Sequence, residues 1–349
     1  MESKIEISVI MCTFNETEDQ IDSAVNSILN QTFKNYEFIL INDNPKNQKL
    51  TNHLKDLVKT DRRIKYIQNN SNLGLATSLN IGLENAKGKY IARMDADDIS
   101  MLQRLEIELD FLKRNPEISL VSTNCIYINE KNEVIKNKPS IPLRHQACRK
   151  ILPKGSYIIH PSVLFVKHDI MSLGGYRKID TAEDYDLWLR LLSAEFKIAT
   201  LDIPLLKYRV RENSMTNSNA YRKAFTDYYI RSLYKKRLVD KKDDYSYSEY
   251  LADLGNKETK NCYEESVEYR LLAKKFLSKK NLFSASIYLI KSISSSQIVF
   301  ENFKSLFLYK IFKEYYLLKE KIFYSKERKY NETIRSNLRD FETESQKIN

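Results

Sequence analysis

Residues 89–98 read KYIARMDADD, an apolar segment that ends in a cluster of aspartates. Its length and its β-favouring residues predict a buried strand over residues 89–94. Two other apolar runs, residues 5–12 (IEISVIMC) and 36–41 (YEFILI), are also followed directly by polar sequence, TFNE and NDNP. The chain therefore repeats one pattern, in which a buried strand ends in polar or acidic residues.

Segments with apolar residues at helical spacing separate these strands. Helices are predicted at about residues 20–30, 49–59, 75–86 and 98–114, and further strands at residues 64–67 and 119–122. Strands that alternate with helices of this length predict an α/β fold, in which helices flank a Rossmann-like, mostly parallel sheet. Because ligands bind beyond the carboxyl ends of such strands, TFNE, NDNP and DADD are expected together at one edge.

The last third of the chain has a different character. From about residue 216 it consists of helical runs rich in Tyr, Leu, Phe and Lys, which predicts a catalytic domain over residues 1–215 and a mainly helical domain over residues 216–349. The net charge of +11 divides into +2 for the first region (30 basic and 28 acidic residues) and +9 for the second (27 basic and 18 acidic). Such a basic, aromatic region indicates an anionic partner.

Two interpretations of the C-terminal region stay open. It attaches to the anionic inner leaflet of a membrane, through an apolar face flanked by lysines, or it is a helical subdomain that packs on the catalytic domain or on a second subunit of a homo-oligomer. The residues expected on that face are Phe303, Leu306, Phe307, Tyr309, Lys310, Phe312 and Lys313. No nucleic-acid partner is expected, because no recognisable nucleic-acid-binding motif occurs.

The compartment is predicted from two features. The apolar run at the N-terminus is too short for a signal peptide or an anchor, and the four cysteines lack the spacing of a zinc site, so that free thiols in a reducing compartment are expected. Residues 281–300 are expected to form a helix or hairpin, since serines dilute their apolar character. We therefore expect a cytoplasmic protein, either free or peripheral on the inner face of the cytoplasmic membrane.

The aspartates after residue 94 have the chemistry of a metal site. Asp95 and Asp97 stand at i and i+2 in an extended segment, so their carboxylates point to the same side. Oxygen ligands of this kind suit Mg²⁺ or Mn²⁺, which bridge a protein carboxylate and a diphosphate. The alternative for Asp98 is structural: with Ser100 it would cap the following helix.

A second acidic group begins the segment EDYDLWLR. Glu183, Asp184 and Asp186 stand at the start of a predicted helix that also contains Trp188. A carboxylate in this position can act as a general base on an attacking hydroxyl, although an acidic pair before a helix is more often a solvated cap. Upstream, a His-Pro pair at residues 160–161 precedes a predicted strand, and two glycines at residues 174–175 predict a tight turn.

Taken together, these motifs resemble the family 2 glycosyltransferases, which have the GT-A fold. The resemblance covers about residues 6–215 and rests on ISVIMCTFNE, NQTFKNYEFILINDNP, NSNLGLATSLNIGLENAKGKYIARMDADDIS, the HPS and GGY segments and AEDYDLWLRL, in the family's order and spacing. It is similar to bacterial enzymes that build capsule, exopolysaccharide or lipooligosaccharide, including amylovoran-type transferases. It implies a GT-A domain with a C-terminal helical extension.

The resemblance also implies roles for individual residues. The donor-contacting set is Thr13, Phe14, Glu16, Asp43, Asn72, Gly74, Asn80, Arg93 and Asp95. In this set the first three would contact the nucleoside, Asp43 the uracil or ribose, and Arg93 the diphosphate. The sequence from Asp95 to Asp97 is similar to the family's DXD motif, in which Asp97 would bind the metal and Asp95 the ribose or the metal. Asp184 would be the catalytic base, supported by Glu183, and the acceptor set is His160, Gly174, Gly175, Tyr176 and Trp188.

One departure from the family changes the expected chemistry. Many relatives have a histidine that approaches the metal in the segment that here reads YRVRENSMT, whereas this chain has Arg211. A guanidinium cannot ligate a metal, so we expect either that Arg211 contacts the diphosphate of the donor directly or that water completes that side of the metal. A second departure, Asn-Asp-Asn-Pro at residues 42–45, stands where relatives often have two acidic residues.

The function implied is an inverting, metal-dependent transfer of a hexose or N-acetylhexosamine from a UDP-sugar. The acceptor would be a hydroxyl of a cell-surface polysaccharide or lipooligosaccharide precursor, either a glycan or a lipid-linked glycan. The alternative is a non-catalytic module that binds nucleotide sugars or glycans. Aspartate-nucleophile phosphatases also place DXD after a strand, but they usually continue with Gly-Thr, whereas Asp98-Ile99-Ser100 follows here.

Overall fold

The site is positioned by a nine-stranded sheet, and the computed structural model describes residues 5–137, 144–179, 181–210 and 220–324. The strands are β1 (Ile7–Thr13), β2 (Tyr36–Asn42), β3 (Ile64–Gln68), β4 (Tyr90–Asp95), β5 (Ile99–Ser100), β6 (Ile118–Ile128), β7 (Val134–Asn137), β8 (Val163–Val166) and β9 (Lys197–Arg209). The helices of the first two thirds are α1 (Glu18–Leu29), α2 (Gln48–Thr60), α3 (Leu75–Asn85), α4 (Arg104–Arg114), α5 (His145–Ile151), α6 (Lys167–Ser172) and α7 (Glu183–Ser193). Those of the last third are α8 (Ala220–Asp240), α9 (Tyr247–Leu254), α10 (Lys257–Ser278), α11 (Leu282–Ser294) and α12 (Gln297–Tyr324).

The sheet has a parallel half and a mixed half. Its order is β3-β2-β1-β4-β8-β6-β9-β5, with β7 paired to β6. The first four strands are mutually parallel, which confirms the predicted α/β alternation. β8 runs antiparallel to both β4 and β6. The parallel register aligns Cys12 of β1 with Asp95 of β4, and Thr13 of β1 with Asn42 of β2, so the polar ends of these three strands lie at one edge.

The central strands are buried because helices cover both faces of the sheet. Consecutive side chains of β2 alternate between two cores: Ile39 packs with residues of α3 and α7, whereas Phe38 and Leu40 pack with residues of α1, α2 and α4. This explains why β1 and β2 are largely apolar and show no polar alternation. Their internal polar residues, Ser8 and Glu37, are buried and hydrogen-bonded to each other at 2.6 Å. Each large apolar side chain buried here contributes roughly 1.5–3 kcal/mol to folding.

The segment after the aspartates differs from its prediction. A helix was expected from residue 98, but Ile99 and Ser100 form β5, which pairs with Lys207 and Leu206 of β9, and α4 begins only at Arg104. The predicted capping role of Asp98 is therefore wrong. Its carboxylate accepts a hydrogen bond from the backbone N–H of Arg209 instead, at 2.7 Å. A tertiary strand pairing overrides the local helical pattern here.

The C-terminal helices pack on the α/β region. α8 lies against α7, and α12 lies against α5 and α8. Residues 281–300, which were expected to form a helix or hairpin, include all of α11 and the first turn of α12, and α11 packs closely on α10. The predicted boundary near residue 215 lies outside the described residues, so the division into two domains stays a prediction. Among the described helices, none combines the length and the apolar character that crossing a membrane would require.

Candidate active site

Arg93 and Asp95 form an ion pair at the carboxyl end of β4. Their side chains approach to 2.5 Å, and Arg93 is only 3% exposed. Burial opposes the charge of the guanidinium, but Asp95 outweighs that cost and raises the pKa of Arg93. The Nε atom of Arg93 is buried and has no hydrogen-bond partner among the described residues. Arg93 therefore remains cationic and keeps an unused donor.

Three carboxylates gather just beyond this pair. Oxygen atoms of Asp95, Asp97 and Asp98 all lie within 4.8 Å of one another. Burial and repulsion from the other two aspartates raise the pKa of Asp98, and its Oδ2 has no hydrogen-bond partner among the described residues. An excess of close negative charge and an unpaired buried oxygen both fit a bound cation. The all-oxygen ligand set fits Mg²⁺ or Mn²⁺.

Two arginines that the sequence analysis missed hold this strand end in place. Arg104 of α4 is fully buried, pairs with Glu108 at 3.1 Å and donates to the backbone carbonyl of Arg93 at 2.9 Å. Arg209 of β9 donates from Nε to the carbonyl of Asp97 at 2.7 Å. The sequence contains a signal for the role of Arg104, because Arg104 and Glu108 stand one turn apart beside the apolar stripe of an amphipathic helix.

Glu183 and Asp184 face this strand end from the first turn of α7. Asp184 accepts a hydrogen bond from the backbone N–H of Tyr185 at 2.7 Å. Burial raises the pKa of both acids; repulsion from Asp184 adds to the shift of Glu183, and repulsion from Asp227 of α8 adds to that of Asp184. The positive charge of Arg93 acts in the opposite direction on both. These carboxylates are therefore poised to accept a proton.

His160 connects Glu183 to the loop that precedes α7. Its Nδ1 lies 3.8 Å from the Glu183 carboxylate, and its Nε2 is 2.9 Å from the Tyr176 hydroxyl. Burial and the nearby charge of Arg93 lower the pKa of His160 well below its ordinary value, so the imidazole is neutral. At 3.8 Å the contact with Glu183 is too long for a hydrogen bond. His160 therefore supports the carboxylate as a neutral polar neighbour.

The glycine turn brings Tyr176 to this position. Gly174 and Gly175 have φ values of 79° and 70°, a conformation that favours glycine. Asn80 of α3 then binds the Tyr176 backbone twice, accepting from its N–H and donating to its C=O, each at 2.8 Å. A Cβ on Gly175 would lie 2.5 Å from the Asn80 side-chain oxygen, so any larger residue would break this clamp.

The predicted nucleoside contacts at the ends of β1 and β2 are held by local hydrogen bonds. The Thr13 hydroxyl donates to the Ile41 carbonyl at 3.1 Å, and the Phe14 backbone N–H donates to Glu16 at 2.7 Å. Asp43 is buried and accepts from the backbone N–H groups of Leu73 and Gly74, at 2.8 and 2.9 Å. Asp43 thus shapes the loop before α3, and its contact with a uracil or ribose stays a prediction.

One cavity of about 1090 Å³ joins both acidic groups. It is lined by the predicted residues Gly74, Arg93, Asp95, His160, Glu183 and Asp184. Residues of β6, β9 and α8 complete it, including Tyr127, Tyr208, Arg222 and Lys223, which the sequence analysis missed. The structure therefore places the DXD end of β4 and the start of α7 in the walls of a single cavity.

The other predicted site residues do not line this cavity. They are Thr13, Phe14, Glu16, Asp43, Asn72, Asn80, Asp97, Gly174, Gly175, Tyr176 and Trp188. Asn72 is exposed and caps the loop by accepting from the Gly74 N–H at 3.0 Å, and Trp188 is fully buried with its ring edge-on to His160 at 5.9 Å. Ligand contacts of this set stay predictions, and the geometry of Trp188 favours an indirect role. Arg211 lies outside the described residues.

Comparisons with known proteins agree with this architecture. Residues 8–172 match the sequence model of glycosyl transferase family 2. The chain is 32% identical to an uncharacterized glycosyltransferase of Methanocaldococcus jannaschii, over 66% of this chain and 80% of the relative. It is 34% identical to the O-antigen biosynthesis glycosyltransferase WbnJ of Escherichia coli, over 67% and 91%. It is 27% identical to the amylovoran biosynthesis glycosyltransferase AmsE of Erwinia amylovora, over 66% and 85%.

A solved structure supports the fold independently. The crystal structure of residues 1–349 of S. aureus TarS, in complex with UDP-GlcNAc, superposes with a TM-score of 0.56 over 90% of this chain and 92% of that one, at 15% identity. The expected GT-A fold with a helical extension is therefore confirmed. The two relatives at 32% and 34% identity, of which the matched region covers 80% and 91%, agree with the match to the family model. The chain belongs to glycosyltransferase family 2.

Proposed function

We propose that this glycosyltransferase moves a hexose or N-acetylhexosamine from a UDP-sugar to a hydroxyl of a cell-surface polysaccharide or lipooligosaccharide precursor, with inversion at the anomeric carbon. One observation carries the proposal: a single cavity has Arg93 and Asp95 in one wall, and Glu183 and Asp184 in another. The first pair suits a diphosphate leaving group and the second suits proton removal. Sugar transfer to a hydroxyl needs both functions, stabilisation of the departing diphosphate and removal of the hydroxyl proton.

The comparisons support the choice of donor and acceptor. TarS was solved with UDP-GlcNAc, which favours a uridine nucleotide. WbnJ and AmsE carry the names of O-antigen and amylovoran biosynthesis, which favours a growing bacterial glycan as acceptor. We place the reaction on the cytoplasmic side of the membrane and the donor site within residues 1–215, with the C-terminal helices as a second domain.

The donor side would use the aspartates together with Arg93. Asp97 and Asp95 would hold Mn²⁺ or Mg²⁺, which supplies positive charge to the leaving diphosphate. Arg93 is fixed by Asp95 at 2.5 Å and contributes a second, permanent positive charge with an unused Nε donor. Because Arg93 is already buried and oriented, it costs little reorganisation when negative charge develops on the diphosphate.

Asp184 would act as the general base. It accepts the proton of the acceptor hydroxyl while that oxygen forms a bond to the anomeric carbon, and the bond from that carbon to the UDP oxygen breaks. Attack from the face opposite the leaving group converts an α-linked donor into a β-linked product. Glu183, whose pKa is raised by burial and by Asp184, lies beside Asp184 in the same wall and would support it there.

A screen of nucleotide sugars tests the proposal. Thermal unfolding and nucleotide release are measured with UDP-, GDP- and dTDP-sugars, each in Mn²⁺, in Mg²⁺ and in chelator, with UDP alone as the control. We expect one UDP-sugar to raise the unfolding temperature only with metal, and to release UDP slowly by hydrolysis. Metal-dependent binding without UDP release, even with acceptor glycans, would indicate a binding module, and no response to any nucleotide sugar would contradict the donor site.

A further inference from the structure

Helix α12 has two faces with opposite roles. Its inner face is fixed to the rest of the protein: Asn302 donates to the Ala224 carbonyl of α8 at 3.0 Å, and Glu320 accepts from the Arg144 backbone N–H at 3.2 Å. Tyr309 and Phe312, which were predicted on an apolar membrane face, pack against the core from this inner side. The rotation of α12 about its axis is therefore set by these contacts.

The outer face of α12 exposes a stripe of large apolar side chains. They are Phe303, Leu306, Phe307, Ile311, Tyr315 and Leu318, each 46–61% exposed. The spacing of three and four residues places them on one side of the helix over four turns. Exposed apolar surface that is this continuous usually marks a binding site. Three of the predicted membrane-contacting residues, Phe303, Leu306 and Phe307, belong to this outer face.

The charges on this outer face are nearly all positive. Lys304, Lys310 and Lys319 are exposed between the apolar side chains, and Glu314 is the one exposed acidic residue of α12 among those described. The neighbouring helix α11 has no acidic residue and exposes Phe283 and Ile290, among others. Between residues 279 and 319 the chain has seven lysines and two glutamates, a net charge of +5, and one of those glutamates, Glu301, pairs with Lys235 at 3.0 Å.

We infer that the outer face of α12 binds the surface of an anionic lipid bilayer. An apolar stripe bordered by lysines is the composition that inserts at a lipid interface, with the lysine ammonium groups reaching the headgroups. A second copy of this chain fits less well, because a symmetric pairing would place like charges opposite each other. Nucleic acid fits less well because large apolar side chains contribute little to phosphate binding.

The surface is close to the catalytic cavity. Tyr309, on the inner side of α12, packs over Gly155, where an added Cβ would lie 3.2 Å from its ring. The next residue, Ser156, lines the cavity. A bilayer bound to the outer face would thus lie one helix away from the wall that contains Ser156, which suits an acceptor anchored in lipid.

Vesicle flotation tests this surface without using the transferase reaction, so its outcome is independent of the proposed function. The full chain is floated with phosphatidylcholine vesicles and with vesicles that also contain phosphatidylglycerol. We expect flotation only with the anionic vesicles and a loss of flotation at high salt, because salt screens the lysines.

Two double variants test the residues of the surface. Phe303→Ser with Phe307→Ser should lower partitioning into the vesicles about tenfold or more. Lys304→Gln with Lys310→Gln should lower it roughly fivefold for each lysine.

Matched controls and a mass measurement separate the alternatives. Leu238→Ser with Val239→Ser changes exposed apolar residues of α8, and Lys34→Gln with Lys55→Gln changes exposed lysines of the α/β region; both pairs should float as the unmodified chain does. A chain that never floats, even at low salt, or α12 variants that float normally, would overturn the inference. An oligomer in solution that the α12 phenylalanine variant dissociates, without any flotation, would identify the surface as an interface between copies.

Discussion

The two acidic walls of the cavity contain the same functional group in different surroundings. At the end of β4, Asp95 is neutralised by Arg93, and the carboxylates of Asp97 and Asp98 crowd close to it. At the start of α7, Glu183 and Asp184 are largely shielded from solvent without a cation in direct contact among the described residues, and their pKa values rise. The surroundings of the carboxylates therefore determine their chemistry: the first wall attracts a cation and a diphosphate, and the second attracts a proton.

The largest expected effect comes from removing the proton acceptor. Asp184→Asn should lower turnover about 10²–10⁴-fold, because general-base catalysis contributes on that order. The measurement is transfer of sugar to acceptor under saturating donor. The matched control is Asp227→Asn, a nearby carboxylate that raises the pKa of Asp184 but does not line the cavity; it should cost less than about tenfold. Equal losses in the two variants would remove Asp184 from the role of base.

Next in size is the loss of the metal ligand in the other wall. Asp97→Asn should lower turnover on the order of 10²-fold or more, because a metal at the leaving group contributes several kcal/mol. Residual activity should no longer respond to Mn²⁺, Mg²⁺ or chelator. The check is a metal titration of activity for the variant and the unmodified chain. An undiminished response of the variant to Mn²⁺ would place the ion elsewhere.

A smaller effect is expected for the pH dependence of the second wall. Asp184 must be ionised to act, and burial raises its pKa to about 6, above the ordinary aspartate value of about 3.9. Activity should therefore be lost as pH falls through about 6. Asp227→Asn removes the acid of α8 whose charge raises the pKa of Asp184, and it should move this acid limb to lower pH by roughly one unit. Profiles of kcat/KM against pH measure it. An acid limb that stays in place would show that the two acids do not interact.

The smallest effect concerns stability. A carboxyl whose folded pKa is raised costs the native state free energy at high pH, and that cost disappears as pH falls below its unfolded pKa. Asp184→Asn should therefore stabilise the protein by about 1–2 kcal/mol at pH 8, with most of this gain lost near pH 4. Denaturant unfolding at the two pH values measures this difference. Destabilisation at pH 8 would mean that the ionised carboxylate makes contacts that offset its burial.

The parallel half of the fold was predictable because β1, β2 and β4 are largely apolar runs. Their own sequences indicate buried strands, without knowledge of the tertiary contacts. The wall at β4 was predictable for the same reason, since Asp95 and Asp97 follow such a run directly. The helix expected from residue 98 was wrong because the pairing of Ile99 with Lys207 joins segments about a hundred residues apart. Arg222 and Lys223 were missed because the packing of α8 brings them to the cavity, and no local pattern encodes that packing.

Donor titration of two asparagine variants tests the division between the walls most directly. The affinity for the responding UDP-sugar is measured by calorimetry in Mn²⁺ for the unmodified chain, Asp97→Asn and Asp184→Asn. We expect Asp184→Asn to bind donor within about twofold of the unmodified chain, whereas Asp97→Asn should lose the metal-dependent part of the affinity. Equal losses of donor affinity in both variants, or a loss confined to Asp184→Asn, would contradict the assignment of the donor to the β4 wall and of the base to the α7 wall.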